Sequence, residues 1–255
     1  MKPSISVFFP CYNDAGTIGA MVIRAIQTLR DITDDFEIIV VNDASRDDSL
    51  QILSELECIL PHEFRIVNHE TNRGYGGALR SGIRAAKKDW IFYTDGDAQY
   101  DVRELKLLAA KISDDVDFIN GWKIKLRDPL HRIWIGMAYQ YFVKLMFSLK
   151  IRDVDCDFRL MRREIFDVIE LESTTGTITF ELVKKAQDAG YRFVEVPVRH
   201  FYRQYGTSQF FNLPRVGRTL LALWGWWWRL VLQKEAVRAY SPKREAQVGI
   251  VRAGE

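Results

Sequence analysis

Short apolar runs of strand length alternate with segments of helical period through the first half of this chain, a pattern that calls for a mostly parallel sheet covered by helices on both faces. The runs fall at 5–9, 37–42, 64–68, 90–94 and 117–121, and the helical segments at 17–30, 47–60, 76–87 and 102–112. Asp47 and Asp48 put negative charge in a first helical turn, where the helix dipole favours it. With 255 residues and 47% hydrophobic content the chain can bury a substantial core, long for one domain and short for two. We read one α/β domain over 1–209, a Trp- and Arg-rich helix over 210–234, and a flexible charged tail over 235–255. Ligands on such sheets bind beyond the carboxyl ends of the strands. Three polar clusters lie there: Pro10-Cys11-Tyr12-Asn13-Asp14, Asn42-Asp43-Ala44-Ser45 and Asp95-Gly96-Asp97.

The third cluster carries the most chemistry. It follows the apolar run Trp90-Ile91-Phe92-Tyr93, and a strand that ends in Asp-x-Asp delivers two hard oxygen ligands to a divalent cation. Magnesium or manganese held by a couple of carboxylates keeps positions open, which suits the oxygens of a diphosphate. The motif therefore reads as a nucleotide-sugar site, with an ordinary Asp-Gly surface turn as the alternative. A formal charge of +2, from 36 basic and 34 acidic residues, gives no bulk affinity for polyanions, so nucleic acid is not an expected partner. Cys11, Cys58 and Cys156 form no Cys-x-x-Cys pair or Cys/His cluster, which fits a reducing cytosol. Residues 1–4 carry no apolar signal core, and the cytosolic side is the expected location.

Read together, Pro10-x-Tyr12-Asn13-Asp14, Asn42-Asp43-x-Ser45, Asn72-Arg73-Gly74-Tyr75-Gly76-Gly77-Ala78 and Asp95-x-Asp97-x-Gln99 occur in the order and approximate spacing of family 2 glycosyltransferases. The chain most resembles the polyprenyl-phosphate hexosyltransferases of the dolichyl-phosphate mannose synthase type. The resemblance runs over roughly residues 4 to 209, through Asp153-Val-Asp-Cys-Asp-Phe158-Arg159, Glu181, Gly190-Tyr191, Glu195-Val196-Pro197 and Arg203-x-x-Gly206-x-Ser208. It implies a GT-A type nucleotide-sugar-binding α/β fold. It implies that Pro10, Tyr12, Asn13 and Asp43 line the base and ribose pocket, with Asp14 beside them where relatives often have Glu. Gly76 and Gly96 would let backbone approach the donor, and Asp95, Asp97 and Gln99 would hold Mg2+ or Mn2+ against the leaving diphosphate. Asp43 has a local alternative as an Asx turn closing a strand.

A lipid monophosphate is already anionic near neutral pH and needs no base to act as a nucleophile, so the acceptor side calls for cations. Lys123, Arg132 and Arg203 are the candidates, Arg203 together with Ser208 in its motif. Asp155 and Asp157 flank Cys156 where relatives often carry Ser-Gly. They would meet sugar hydroxyls, or Asp157 would serve as general base for a neutral hydroxyl acceptor. Glu181 either contacts the sugar or favours a helix N-terminus. His69, His131 and His200 form no metal motif and are expected on the surface or in loops.

Membrane attachment rests on 130–149, apolar around most of a helix, and on 210–233, where Arg215, Arg218 and Arg229 form one narrow stripe with Ala222 and Gly225. The apolar core at 219–228 is too short for about 30 Å of hydrocarbon, so we expect an interfacial helix on the cytoplasmic face. Packing against the α/β domain and a homo-oligomer contact are the alternatives. The reading overall is a metal-dependent inverting hexosyltransferase taking a nucleoside diphosphate sugar, GDP-mannose or a UDP-sugar, to a polyprenyl phosphate. A family 2 enzyme acting on a glycan or glycolipid hydroxyl, and a non-catalytic nucleotide-sugar-binding membrane scaffold, remain open beside it.

Overall fold

The computed structural model describes residues 2–124, 130–203, 205, 222–232 and 251–252. All five expected strands form: β1 (Ile5–Cys11), β2 (Phe36–Asn42), β3 (Phe64–Asn68), β4 (Trp90–Thr94) and β5 (Phe118–Ile124). Helices α1 (Ile18–Ile32), α2 (Ser49–Ile59) and α3 (Gly74–Ala85) fall on their expected segments, except that Asp47 and Asp48 precede α2 instead of lying in its first turn. The fourth segment splits into a 3-10 turn at Val102–Glu104 and a short α4 (Leu105–Ala109). Further along come α5 (Leu130–Phe147), β6 (Phe158–Arg162), α6 (Ile165–Val168), α7 (Ile178–Asp188) and β7 (Phe193–Arg199). The sheet order is β3-β2-β1-β4-β6-β5-β7, with β6 antiparallel to both neighbours and the other pairings parallel. Val251–Arg252 adds a two-residue β8 beside β7, so this part of the tail lies on the sheet edge. Most of the tail falls outside the described residues.

β1 is buried at every position, as a strand covered on both faces must be. Its side chains divide with period two between the layers. Phe8 joins Val41, Ile91 and Tyr93 on the face covered by α3 and α7. Val7 and Phe9 join Val40 and Phe92 on the face covered by α1 and α2. Helix α1 meets that face with Ile18, Met21, Val22, Ala25, Ile26 and Leu29, an i, i+3, i+4 stripe. On the other face Phe8 stacks on Tyr93 at 5.4 Å, and Gly82 of α3 lies against the Phe8 ring, where an added Cβ would come within 2.3 Å of it. Gly82→Ala is therefore expected to lower stability by about 1–3 kcal/mol through overpacking, read as a loss of several degrees in thermal unfolding followed by circular dichroism. An unchanged midpoint would show that the Phe8 ring has room to move.

The C-terminal segment is helical at 222–232, its last turn Trp228–Leu232 wound as a π-helix. Leu223, Trp226 and Leu230 are buried in the core layer that also holds Val143 and Phe147 of α5. Trp224, Trp228 and Leu232 stay exposed on the opposite side. Arg229 pairs with Glu172 at 3.0 Å and lies over the Trp226 ring, while Arg215 and Arg218 fall outside the described residues. Among the described residues, no helix is long and apolar enough to cross a membrane.

Candidate active site

The topology gathers the site at one edge. β1, β2 and β4 are parallel and end together at Cys11, Asn42 and Thr94. Because β6 runs the other way, with Phe158 paired to Thr94, its first residues bring Asp157 to the same edge. Asn13, Ala44 and Ala98 have φ of 58°, 57° and 59°. The chain thus leaves each of the three central parallel strands through a left-handed residue, a conformation that costs an alanine about 1 kcal/mol and that clusters at functional sites.

The turns after β1 and β2 are locked together. Asn13 N donates to Ser45 Oγ at 3.0 Å, Arg46 N to Asn13 Oδ1 at 2.7 Å, Asp14 N to Ser49 Oγ at 3.1 Å and Ala15 N to Asp47 Oδ2 at 3.0 Å. Pro10 is buried, and the Tyr12 ring stands 38% exposed at the mouth. Asp43 is buried, its Oδ1 accepting from Arg73 N at 2.8 Å and facing His69 Nδ1 at 2.6 Å. His69 stands in the loop directly after β3, as expected, but an expected surface placement is corrected: it is 4% exposed, between Asp43 and Ser81. The signal was available, since His69 directly follows β3 and so sits at the same carboxyl edge. His200 lies edge-on to Tyr100, and the side chain of His131 falls outside the description.

Asp95, Asp97, Asp14 and Asp157 form an acidic floor. Asp95 Oδ1 accepts from Tyr75 Oη at 2.7 Å, and Asp157 Oδ1 from Tyr93 Oη at 3.2 Å. Burial pushes the Asp95 carboxyl well above its ordinary range, and the charges of Asp157 and Asp97 push it further. Burial also raises Asp157, against the pull of Arg159 and Lys123. Asp14 is pushed up to about 6, chiefly by burial, with Tyr12 N–H and Arg203 pulling it down and Asp97 raising it. Arg203 reaches over this floor from beyond β7, its guanidinium 3.1 Å from Asp14 and 3.8 Å from Asp97. The Tyr205 ring covers Gly16, and Gln99 is tied into the same segment, donating from Nε2 to Phe201 O at 3.2 Å.

Crowded carboxylate oxygens are the donor chemistry of a hard divalent cation, and Asp95 and Asp97 fit one. Among the described residues no group of three His, Cys, Asp or Glu side chains is arranged to hold a metal, so Asp95 and Asp97 would share a cation with oxygens from a ligand. Gln99 is beside them, with its amide nitrogen already committed.

Three of the expected site residues have partners within the protein. Gly76 N donates to Thr174 O at 3.0 Å, and a Cβ on Gly76 would lie 2.2 Å from Ser173 O. Its missing side chain thus admits protein backbone. The loop it meets is anchored by Glu181, fully buried, which accepts from Glu172 N and Ser173 N and pairs with Lys185 at 2.9 Å. Glu181 stands in the first turn of α7, as the second of its two expected readings has it, and offers no exposed surface to a sugar. Lys123 donates to Asp155 O at 3.0 Å and lies 3.5 Å from Asp153, so its charge is already balanced within the 153–157 segment. Gly96 packs on Pro10 O, with Thr17 Oγ1 donating to its carbonyl at 2.7 Å. Arg132 lies on α5 with its side chain outside the description, and Ser208 lies outside the described residues. Sequence reasoning missed Tyr75, which bridges Asp95 and Asp157, and Arg159, a fully buried cation whose guanidinium donates to the Cys156, Val154 and Thr179 carbonyls.

A family profile described as glycosyl transferase family 2 matches residues 6–169. The chain is 32% identical over 203 residues to the glycosyltransferase AglD of Haloferax volcanii, a match covering 76% of this chain and 32% of that protein. It is 25% identical over 206 residues to the undecaprenyl-phosphate 4-deoxy-4-formamido-L-arabinose transferase of Pseudomonas fluorescens, covering 81% of this chain and 60% of that one. This chain therefore spans a third to three fifths of these curated relatives. A solved structure of glucosyl-3-phosphoglycerate synthase from Mycobacterium tuberculosis, in complex with Mn2+, UDP and glucosyl-3-phosphoglycerate, matches with a TM-score of 0.66 at 17% identity, covering 88% of this chain and 80% of that one. That likeness is one of fold, and the fold is GT-A.

Proposed function

Because the chain belongs to glycosyl transferase family 2, a family of sugar-transferring enzymes, we propose that it moves a hexose from a nucleoside diphosphate sugar to a polyprenyl phosphate at the cytosolic face of a membrane. The observation that carries the reading is the Arg203 guanidinium set over Asp14 and Asp97 at the carboxyl edge of the sheet. A cation-binding floor and an anion-binding guanidinium then face one another, as transfer between two phosphate-bearing substrates requires.

Pro10, Tyr12, Asn13 and Asp43 would hold the base and ribose, with Asp14 beside them. Asp95 and Asp97 would hold Mg2+ or Mn2+, which would supply charge neutralisation to the departing diphosphate. Arg203, with Ser208 of its motif and Arg132, orients the acceptor phosphate, and Lys123 holds the segment that carries Asp157. The acceptor oxygen, already anionic, attacks the anomeric carbon in a single in-line displacement, with inversion. The curated relative named for undecaprenyl phosphate supports this acceptor class. Exposed Met137, Tyr141 and Leu145 at four-residue intervals on α5, and Trp224, Trp228 and Leu232 at the same intervals on the C-terminal helix, support docking on a lipid surface.

A second reading keeps the donor half and replaces the acceptor with a glycan or glycolipid hydroxyl. The observation in its favour is Asp157, whose raised proton affinity suits a general base. The deciding experiment is transfer of labelled sugar from GDP-mannose, UDP-glucose and UDP-N-acetylglucosamine to a short polyprenyl phosphate, with Mg2+ or Mn2+. Label in the lipid phase is expected, and its absence from every donor, despite cation-dependent nucleotide binding, would sink the lipid-phosphate acceptor.

A further inference from the structure

We infer that His69 and Ser81 turn Asp43 into a single-acceptor carboxylate, and that this selects a donor base with one ring N–H, uracil, over guanine. The inference rests on the nucleotide-sugar reading and deepens it.

A carboxylate offers about two lone-pair sites on each oxygen. On Asp43, Oδ1 meets two protein donors, Arg73 N–H at 2.8 Å and the His69 ring at Nδ1, 2.6 Å away. With its proton on Nδ1, the ring leaves Nε2 to accept from Ser81 Oγ, 2.8 Å distant. Both ring nitrogens of His69 and Oδ1 of Asp43 are then paired, and the two residues are buried. Asp43 is 3% exposed, and its backbone is fixed as well, its carbonyl accepting from Asn72 Nδ2 at 3.0 Å. With Oδ1 filled, Oδ2 is the oxygen left for a ligand.

Uracil and guanine place different demands on that oxygen. Uracil carries one donor, N3–H, between two carbonyls, and a single oxygen satisfies it. Guanine presents N1–H and an N2 amino hydrogen side by side, which match the two oxygens of a carboxylate in a bidentate fork. With Oδ1 already filled, both guanine donors would have to share Oδ2 in one bent, bifurcated contact, which pairs them less well than the fork does and costs guanine affinity. His69 acts through Asp43 and is a positioning residue.

The test is calorimetric binding of UDP, GDP and inorganic pyrophosphate, each with Mn2+, to the full chain and to His69→Phe, His69→Asn and Ser81→Ala variants whose folding is checked by circular dichroism. The unaltered protein is expected to bind UDP at least about tenfold more tightly than GDP. His69→Phe should weaken UDP by about tenfold and narrow the UDP-to-GDP ratio, with pyrophosphate binding unchanged. His69→Asn, which keeps an N–H donor near the place of Nδ1, should restore much of the ratio, and Ser81→Ala should shift it less, in the same direction as His69→Phe. If His69→Phe fails to fold, Ser81→Ala carries the test. Tighter binding of GDP by the unaltered protein, or a ratio that no folded variant moves, would overturn the inference while leaving the nucleotide-sugar reading intact. Binding of pyrophosphate with neither nucleotide would overturn both.

Discussion

Asp97→Asn should reduce sugar transfer by roughly 10²–10³-fold or more while leaving the fold at least as stable as before. The substitution preserves side-chain volume, and its amide oxygen can still accept from Gln99 N, the bond that Asp97 Oδ1 makes at 3.0 Å. What it removes is one negative charge from a floor where Asp14, Asp95 and Asp157 already oppose one another. Relief of that repulsion offsets the weakened contact with Arg203, 3.8 Å away. Stability and activity are thus expected to move apart, which separates a cation-holding role from a structural one. Initial rates and thermal midpoints measured on the same preparation make the check. A variant that keeps more than a tenth of the rate would remove Asp97 from the cation site.

The same floor fixes the sign of the pH dependence. Asp14, raised from 3.8 to about 6 by burial, binds its proton more tightly folded than unfolded. Its contribution to folding is therefore fully present below 3.8 and is lost as pH rises through about 6. Asp95, pushed up by burial and by Asp157, acts in the same direction. Cation binding runs the other way, because it needs these carboxylates without their protons. The rise in melting temperature produced by Mn2+ with UDP should accordingly be larger at pH 7.5 than at pH 5.5.

The parallel half of the sheet was legible because strands buried on both faces must be apolar, and β1 and β4, buried at every position, read as continuous runs for that reason. β6 was not. Phe158–Arg162 carries two arginines in five residues, and nothing local tells that Arg159 is fully buried among backbone carbonyls. The rule that ligands bind at carboxyl strand ends located Asp14, Asp43, Asp95 and Asp97, and extended to β3 it reaches His69. A glycine's need for space, by contrast, does not name its neighbour. Gly76 makes room for Ser173, almost a hundred residues further along the chain, and only the packed structure distinguishes that from room for a ligand. Lys123 shows the same gap: a basic residue at a strand end has the right charge for a phosphate, but the carboxylate that neutralises it, Asp153, comes from a distant turn.

Arg203→Ala and Asp157→Asn are expected to act unequally, and the order of their effects identifies the acceptor. For an anionic phosphate acceptor, no proton has to be removed during attack, so the cost of Asp157→Asn is confined to the contacts with Tyr93 and Tyr75. Arg203→Ala would then remove the guanidinium that orients the nucleophile and leave Asp14 and Asp97 without their shared counter-charge. A loss of roughly 10²–10³-fold in kcat/KM for the acceptor follows from a charge-assisted, geometrically fixed contact. Arg203→Lys should recover only part of it, because an ammonium cannot reproduce the fork that spans two carboxylates or grips a phosphate through two donors. For a hydroxyl acceptor the order reverses. Asp157→Asn would then abolish transfer, and the pH profile of the unaltered enzyme would show an acid limb set by the raised carboxyl. Measured against a polyprenyl phosphate, a variant series in which Asp157→Asn is the more damaging change would displace the lipid-phosphate reading in favour of the hydroxyl one.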